Sequence, residues 1–280
     1  MIQRPGASQR HLVVVLVALA LALTAAACRR DATGPKLAPL VLLWQDEFDG
    51  PAGQSPDSTR WGYDIGTNWG NLQLEYDTNR PENVSLDGSG HLTIVACRED
   101  YLGSAYTSAR ITTEGRFQQT RGRFEARLKL PSGQGLWPAF WLLGANHRSA
   151  IWPACGEIDI MEYRGQEPRV VLGSLHGPGY SGGGAVTHRY EIPQGAFDTD
   201  FHVFAVDWDA DRIRWSVDGT TYASATPADL PAGMTWVFGH PFFIILNVAV
   251  GGSFVGGPGP GTVFPQTMTV DYVRVYAPAP

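Results

Sequence analysis

Three carboxylates sit within six residues of the segment "GEIDIMEY": Glu157, Asp159 and Glu162, separated by Ile158, Ile160 and Met161. On an extended strand alternate side chains share a face, so Glu157 and Asp159 point the same way. Strict alternation would send Glu162 to the opposite face. One inserted residue, a β-bulge at Ile160 or Met161, returns it to the side of the other two. Like charges gathered on one face repel, so at least one carboxyl keeps its proton well above the usual range. An ionised carboxylate beside a protonated one is what glycoside cleavage with retention requires, the two carboxyls lying about 5–5.5 Å apart. In that scheme one Glu attacks the anomeric carbon and the other protonates the leaving oxygen. The shorter Asp159 is expected to support them, holding a hydrogen bond to the nucleophile. Acids fixed in type at three positions arise by chance in about one chain in twenty of this length, so the spacing alone does not establish chemistry. A solvated acidic face or a cation site would also use such a strand.

The elements that must position these residues read as strands. The chain has 280 residues, 44% hydrophobic and 17% charged, with 33 Gly and 20 Pro, a composition suited to many short strands and turns. In "RFEARLKL", Phe124, Ala126, Leu128 and Leu130 alternate with Arg123, Glu125, Arg127 and Lys129, the pattern of a half-buried strand. "FHVFAVDWDADRIRWSVDGTTYASA" predicts three successive strands, with turns at Asp209–Asp211 and at Asp218-Gly219. "PFFIILNVAV" is almost wholly apolar, as for a strand covered on both faces, and "MTVDYVRVYAP" predicts a closing strand ended by Pro278. No long segment has helical spacing. The expected fold is all-β, a sandwich of two packed antiparallel sheets.

Residues 1–27 predict a secretory signal: Arg4, Arg10 and His11 precede the apolar run Leu12–Ala27, which is short for a spanning helix of about 20 residues. Cys28, directly after three alanines, resembles the lipidated cysteine of bacterial lipoproteins; ordinary cleavage near Ala27 is the alternative. Residues 28–39 then form a tether, and 40–280 one large domain. The expected location is exported, on a membrane through the lipid or otherwise secreted. Cys97 and Cys155 could pair in an oxidising compartment or remain two buried thiols. Pro153 favours a loop before Gly156 over an earlier start to the strand. The net charge of −6 argues against a nucleic-acid partner.

The acidic segment resembles the bulged signature of glycoside hydrolase family 16, in the form typical of laminarinase-like enzymes. The likeness extends in order through "LWQDEFDG", "WGNLQLEYDTNRPENV", "GRFEARLKLPSGQGLWPAFWLLG", "LHGPGYSGG", "FHVFAVDW", "PFFIILNVAVGG" and "VDYVRVY", covering nearly all of residues 40–280. The resemblance implies a jelly roll with a concave cleft and a retaining endo-hydrolase of β-1,3-glucan, with mixed-linkage β-1,3-1,4-glucan as a further substrate. It implies Glu157 as nucleophile, Glu162 as general acid/base and Asp159 as the assisting carboxylate, with no cofactor in the chemistry. Trp141 and Trp152 match positions lining the cleft, and His176 matches a histidine near the acid/base that could bond sugar or carboxylate. Trp137 is either a sugar platform or core, with core favoured, and Asn71 and Asn247 are further candidates for sugar contact. Glu47, Gly90 and Asp271 fall near the positions of a structural calcium in some relatives. The expected partner is the polysaccharide alone, with the protein a monomer. The rival readings are a galactan-cleaving enzyme of agarase or carrageenase type, a β-glucan-binding protein without activity, and a structural surface lipoprotein.

Overall fold

The computed structural model describes residues 40–278. The predicted signal, Cys28 and the tether lie outside the described residues. Within them the fold is two packed sheets of ten and seven strands, with helix confined to two short 3-10 turns, Gly182–Gly184 and Pro227–Asp229. The pairing is antiparallel except between Glu75–Asp77 and Ser104–Ser108, which run parallel. No helix among the described residues is long and apolar enough to cross a membrane.

The larger sheet has at its centre the strands Gly122–Lys129 and Gln266–Pro278. The alternation read in the first of these is largely the observed burial: Phe124, Ala126 and Leu128 are sealed in the core while Arg123, Arg127 and Lys129 are half-buried on the other face, and Glu125 on that face is buried against its partner Arg123. The three-strand run follows as His202–Trp208, Ile213–Val217 and Thr220–Ala225. Asp218 and Gly219 both take positive φ, +50° and +77°, the backbone twist that a two-residue hairpin needs.

The smaller sheet runs in the order Val186–Glu191, Val170–His176, Glu157–Tyr163, Leu136–Gly144, Phe242–Val250, Arg110–Thr112 and Gly62–Tyr63. Every residue of Phe242–Val250 is buried. Phe242, Ile244, Leu246, Val248 and Val250 join the main core between the sheets, while Asn247 lies on the face that carries the cleft. Indole and phenyl rings fill the core, among them Trp61, Trp208, Trp215 and Phe140.

Residues 151–155 form turns and the acidic strand begins at Glu157, so Pro153 and Cys155 stand in the loop. Cys97 is half-buried, Cys155 is buried, and both are free thiols.

Candidate active site

The acidic strand is held between Leu136–Gly144 and Val170–His176, and its register breaks once on each side. Against the first neighbour Asp159 pairs with Trp141, and the next pair is Met161 with Phe140. Against the second, Asp159 pairs with Ser174 and the next pair is Glu162 with Leu172, leaving Gly173 opposite Ile160 and Met161 together. This is the one-residue insertion that the spacing of the carboxylates requires. It sends two consecutive side chains, Ile160 and Met161, into the core, where they are 2% and 0% exposed. Glu157, Asp159 and Glu162 consequently all line one cleft of about 770 Å³.

Each carboxyl has its own surroundings. Glu157 accepts a hydrogen bond from the Trp152 indole N–H at 3.0 Å. Glu162 accepts one from Trp137 at 3.1 Å and a longer one from the Ser174 hydroxyl at 3.4 Å. His176 spans the other two: its Nε2 lies 2.9 Å from Asp159 Oδ2 and 3.6 Å from Glu157 Oε1. Its Nδ1 accepts the Gly182 backbone N–H at 3.0 Å, so the ring proton sits on Nε2, facing the carboxylates. No direct hydrogen bond joins Asp159 to Glu157 among the described residues. The expected bond is absent because same-face neighbours on a strand stand about 6.5 Å apart and the short Asp does not close that gap; His176 stands between the two without a hydrogen bond to Asp159 Oδ2.

Burial raises all three carboxyls to about 8, and for Glu157 and Glu162 the charge of Asp159 is the second cause. His176 opposes the rise at both glutamates, as do the hydrogen bonds of Trp137 and Ser174 at Glu162. Three acids so placed cannot all ionise near neutrality, and their protons are held by the group as a unit.

The walls of the cleft are aromatic. Trp152 is 44% exposed, with its ring 6.0 Å from that of His176. Trp141 donates to Asn247 Oδ1 at 2.8 Å and carries the Arg110 guanidinium 4.7 Å above its ring. Asn247 is therefore the anchor of Trp141, while Asn71 lies on the rim with its backbone carbonyl tied to Ser253 N–H at 2.8 Å. The preference for Trp137 as core is corrected: it is half-buried, lines the cleft and holds Glu162. A ring on the cleft face of Leu136–Gly144 is indistinguishable from a core ring by sequence when both faces of the strand are apolar.

Several site residues had escaped the sequence reading. Arg110 is gripped by Asp64 at 2.9 Å and stacks on Trp69 as well as Trp141. Phe254 packs on Trp137 with ring centroids 4.8 Å apart, under the Arg164 guanidinium at 4.2 Å. Behind Trp69 lies a second pair of buried acids, Glu75 and Asp77, 1% and 2% exposed. Burial lifts Glu75 to about 7 and, with the charge of Glu75 added, lifts Asp77 well above its ordinary range. Asp77 accepts the Trp69 indole N–H at 2.8 Å, so this pair braces the cleft wall. Trp69, Glu75 and Asp77 all lie in the segment "WGNLQLEYD", the signal in the sequence that could have exposed them.

Along Gln266–Pro278, Val270 pairs with Leu92 and Val273 with Asp46, so Asp271 lies between the positions paired near Gly90 and Glu47. Both carboxylates are already neutralised: Glu47 takes two bonds of 2.8 Å from Arg274, and Asp271 is paired with Arg127. Donors committed to guanidinium groups fit a dication poorly.

A long indole-lined cleft suits the flat C–H faces and hydroxyls of a sugar chain, and its floor of proton-sharing carboxyls can both attack and protonate. Fold and site together define a glycoside hydrolase. The chain belongs to glycosyl hydrolases family 16, whose sequence profile matches residues 64–274. A beta-glucanase of Rhodothermus marinus is 44% identical over 244 residues, spanning 84% of this chain and 84% of its own length. A glucan endo-1,3-beta-glucosidase of Cryptopygus antarcticus is 42% identical over 235 residues, 78% of this chain and 83% of that one. Among solved structures, the catalytic domain of an endo-1,3-beta-glucanase (laminarinase) from Thermotoga petrophila RKU-1 superposes with a TM-score of 0.82 at 45% identity, covering 87% of this chain and all (100%) of that one.

Proposed function

We propose that this chain is a retaining endo-hydrolase of β-1,3-glucan of the laminarin type, acting also on mixed-linkage β-1,3-1,4-glucan. The observation that carries the mechanism is the register break, because it alone places Glu162 in the cleft with Glu157. The functional state holds one charge and one proton on this pair. The charge belongs on Glu157, which has the Trp152 N–H at 3.0 Å and the His176 Nε2 at 3.6 Å. Burial raises both carboxyls to about 8, so ionising Glu157 leaves the proton on Glu162 through neutral pH.

In the first step a Glu157 oxygen bonds the anomeric carbon as the bond to the leaving oxygen breaks, and Glu162 gives that oxygen its proton. The product is a covalent glycosyl-enzyme on Glu157 with Glu162 ionised. Glu162 then takes a proton from water, the hydroxyl attacks the same carbon, and Glu157 leaves as carboxylate with the sugar's configuration kept. Asp159 bears on Glu157 through the shared His176, and on both glutamates by its charge once it ionises near pH 8. Trp141, Trp152 and Trp137 supply the faces on which the sugar rings rest, and no cofactor enters the chemistry.

Glu157→Gln is expected to abolish laminarin hydrolysis while leaving folding and glucan binding intact; unchanged turnover removes Glu157 from the role. Product analysis on laminarin, barley glucan, agarose and carrageenan decides the substrate, and release from agarose or carrageenan alone would move the assignment to galactans. The family membership, homologues of this name and the aromatic cleft support the reading.

The same reading takes residues 1–27 as the export signal, Cys28 as the lipid-bearing residue and 40–280 as a monomeric catalytic domain at a cell surface or in the periplasm. The sequence of the first 28 residues supports it, and intact mass of the mature protein tests it: a mass without a diacylglyceryl group rules the anchor out. A structural calcium at Glu47, Gly90 and Asp271 belongs to this reading only if it displaces the Arg274 and Arg127 pairs.

A further inference from the structure

One core residue reaches the reacting strand from the opposite sheet. Trp215, on Ile213–Val217 of the larger sheet, is 0% exposed, and its indole N–H donates to the backbone carbonyl of Asp159 at 2.7 Å. Asp159 is the last residue in register before the break on both sides of the acidic strand. The side chain therefore spans the space between the two sheets to hold the peptide at which the bulge begins. The neighbouring strand is shaped to admit the ring. Gly173, which stands opposite the bulge, has no room for a side chain: a Cβ there would lie 2.5 Å from the Trp215 indole nitrogen and 2.7 Å from the Tyr222 hydroxyl. Its partner across the next pair, His188, packs on the same indole with ring centroids 5.4 Å apart.

Trp215 touches neither carboxyl nor cleft. Its influence runs through the backbone. A bulge bends a strand and re-aims the side chain that follows it, and the bend depends on where the unpaired peptide is held. Here the side chain that follows is Glu162. Side chains set for reaction tolerate little displacement, since a shift of about 1 Å costs on the order of a hundredfold in rate.

We propose that Trp215 is a positioning residue for the hydrolysis: its N–H fixes the carbonyl of Asp159, and with it the offset that aims Glu162 at the leaving oxygen, while Gly173 is kept without a side chain so that the indole can reach. The inference rests on Glu157 and Glu162 acting as described above. It goes beyond that reading in assigning part of the site's geometry to the far sheet.

The test compares Trp215→Phe with Trp208→Phe. Trp208 is an equally buried indole on the same sheet that donates to a carbonyl, that of Phe238 at 3.2 Å, away from the bulge. Both variants lose one buried N–H···O bond and ring volume, so a general loss of stability appears in both. Trp215→Phe alone is expected to lower kcat on laminarin, by about 10- to 100-fold with KM within about twofold. Most of that loss should vanish on a laminarin oligosaccharide bearing a dinitrophenyl leaving group, which needs no proton from Glu162. If Trp215→Phe does not fold, the isosteric benzothienyl analogue of tryptophan at position 215 removes the N–H and keeps the shape. Equal kcat in the position-208 and position-215 variants overturns the positioning role and leaves the hydrolase reading intact, as does a loss undiminished on the activated substrate. Failure of the wild type on every polysaccharide of the panel overturns both.

Discussion

Replacing Asp159 by Asn is expected to make the protein more stable and less active. Asp159 is 3% exposed, and burial moves its carboxyl from 3.8 to about 8. Below pH 4 the folded and unfolded chains both keep this proton. As pH rises from there toward 8 the unfolded chain releases it and the folded one does not, so the stability of the wild type falls by about 1.4 kcal/mol per pH unit from this group. At pH 7 the sum reaches about 4 kcal/mol, an upper bound because protons are shared with Glu157 and Glu162. Asn never ionises, so it recovers about 2–4 kcal/mol at pH 7 and almost nothing near pH 4. For a domain of this size that corresponds to a rise in Tm of about 5–10 °C at neutral pH. Calorimetry of both proteins at pH 5 and pH 7.5 measures it, the gain being larger at the higher pH. The alkaline limb of kcat/KM should move to lower pH in the same variant, because near pH 8, where Asp159 begins to ionise, its charge raises Glu162, and Asn carries none. A variant less stable than wild type at pH 7.5, or a gain that does not change with pH, would refute the argument that burial holds these protons.

Trp137→Phe removes a hydrogen bond that favours the ionised form of Glu162, so the alkaline limb of kcat/KM should rise by about half a unit to one unit; a fall, or no movement, separates Trp137 from the acid/base. Glu75→Gln takes away a buried charge lifted to about 7 while leaving an oxygen to accept the Val250 N–H at 2.8 Å, and should raise Tm at pH 8 more than at pH 5; calorimetry that finds the reverse would show the pair ionised in the fold. With the carboxylates of Glu47 and Asp271 committed to arginines, EDTA should leave Tm unchanged, and a fall of several degrees restored by calcium would establish the ion.

What the sequence determined by itself was the local and the repetitive. Alternation marked which faces of Gly122–Lys129 are buried, Asp218-Gly219 marked the hairpin between Ile213–Val217 and Thr220–Ala225, and two-then-three spacing required a bulge between Asp159 and Glu162. These follow from strand parity and turn stereochemistry, which involve only neighbours along the chain. The tertiary structure alone decided what crosses between distant segments. It turned Trp137 to the cleft, set His176 between Asp159 and Glu157, raised a second acid pair behind Trp69, and brought Trp215 across the core to the bulge. The physical reason is that an indole or a carboxyl has the same apolar body or charge wherever it stands. Its role comes from the partner within 3 Å, and that partner is chosen by how two sheets pack rather than by the residues beside it in sequence.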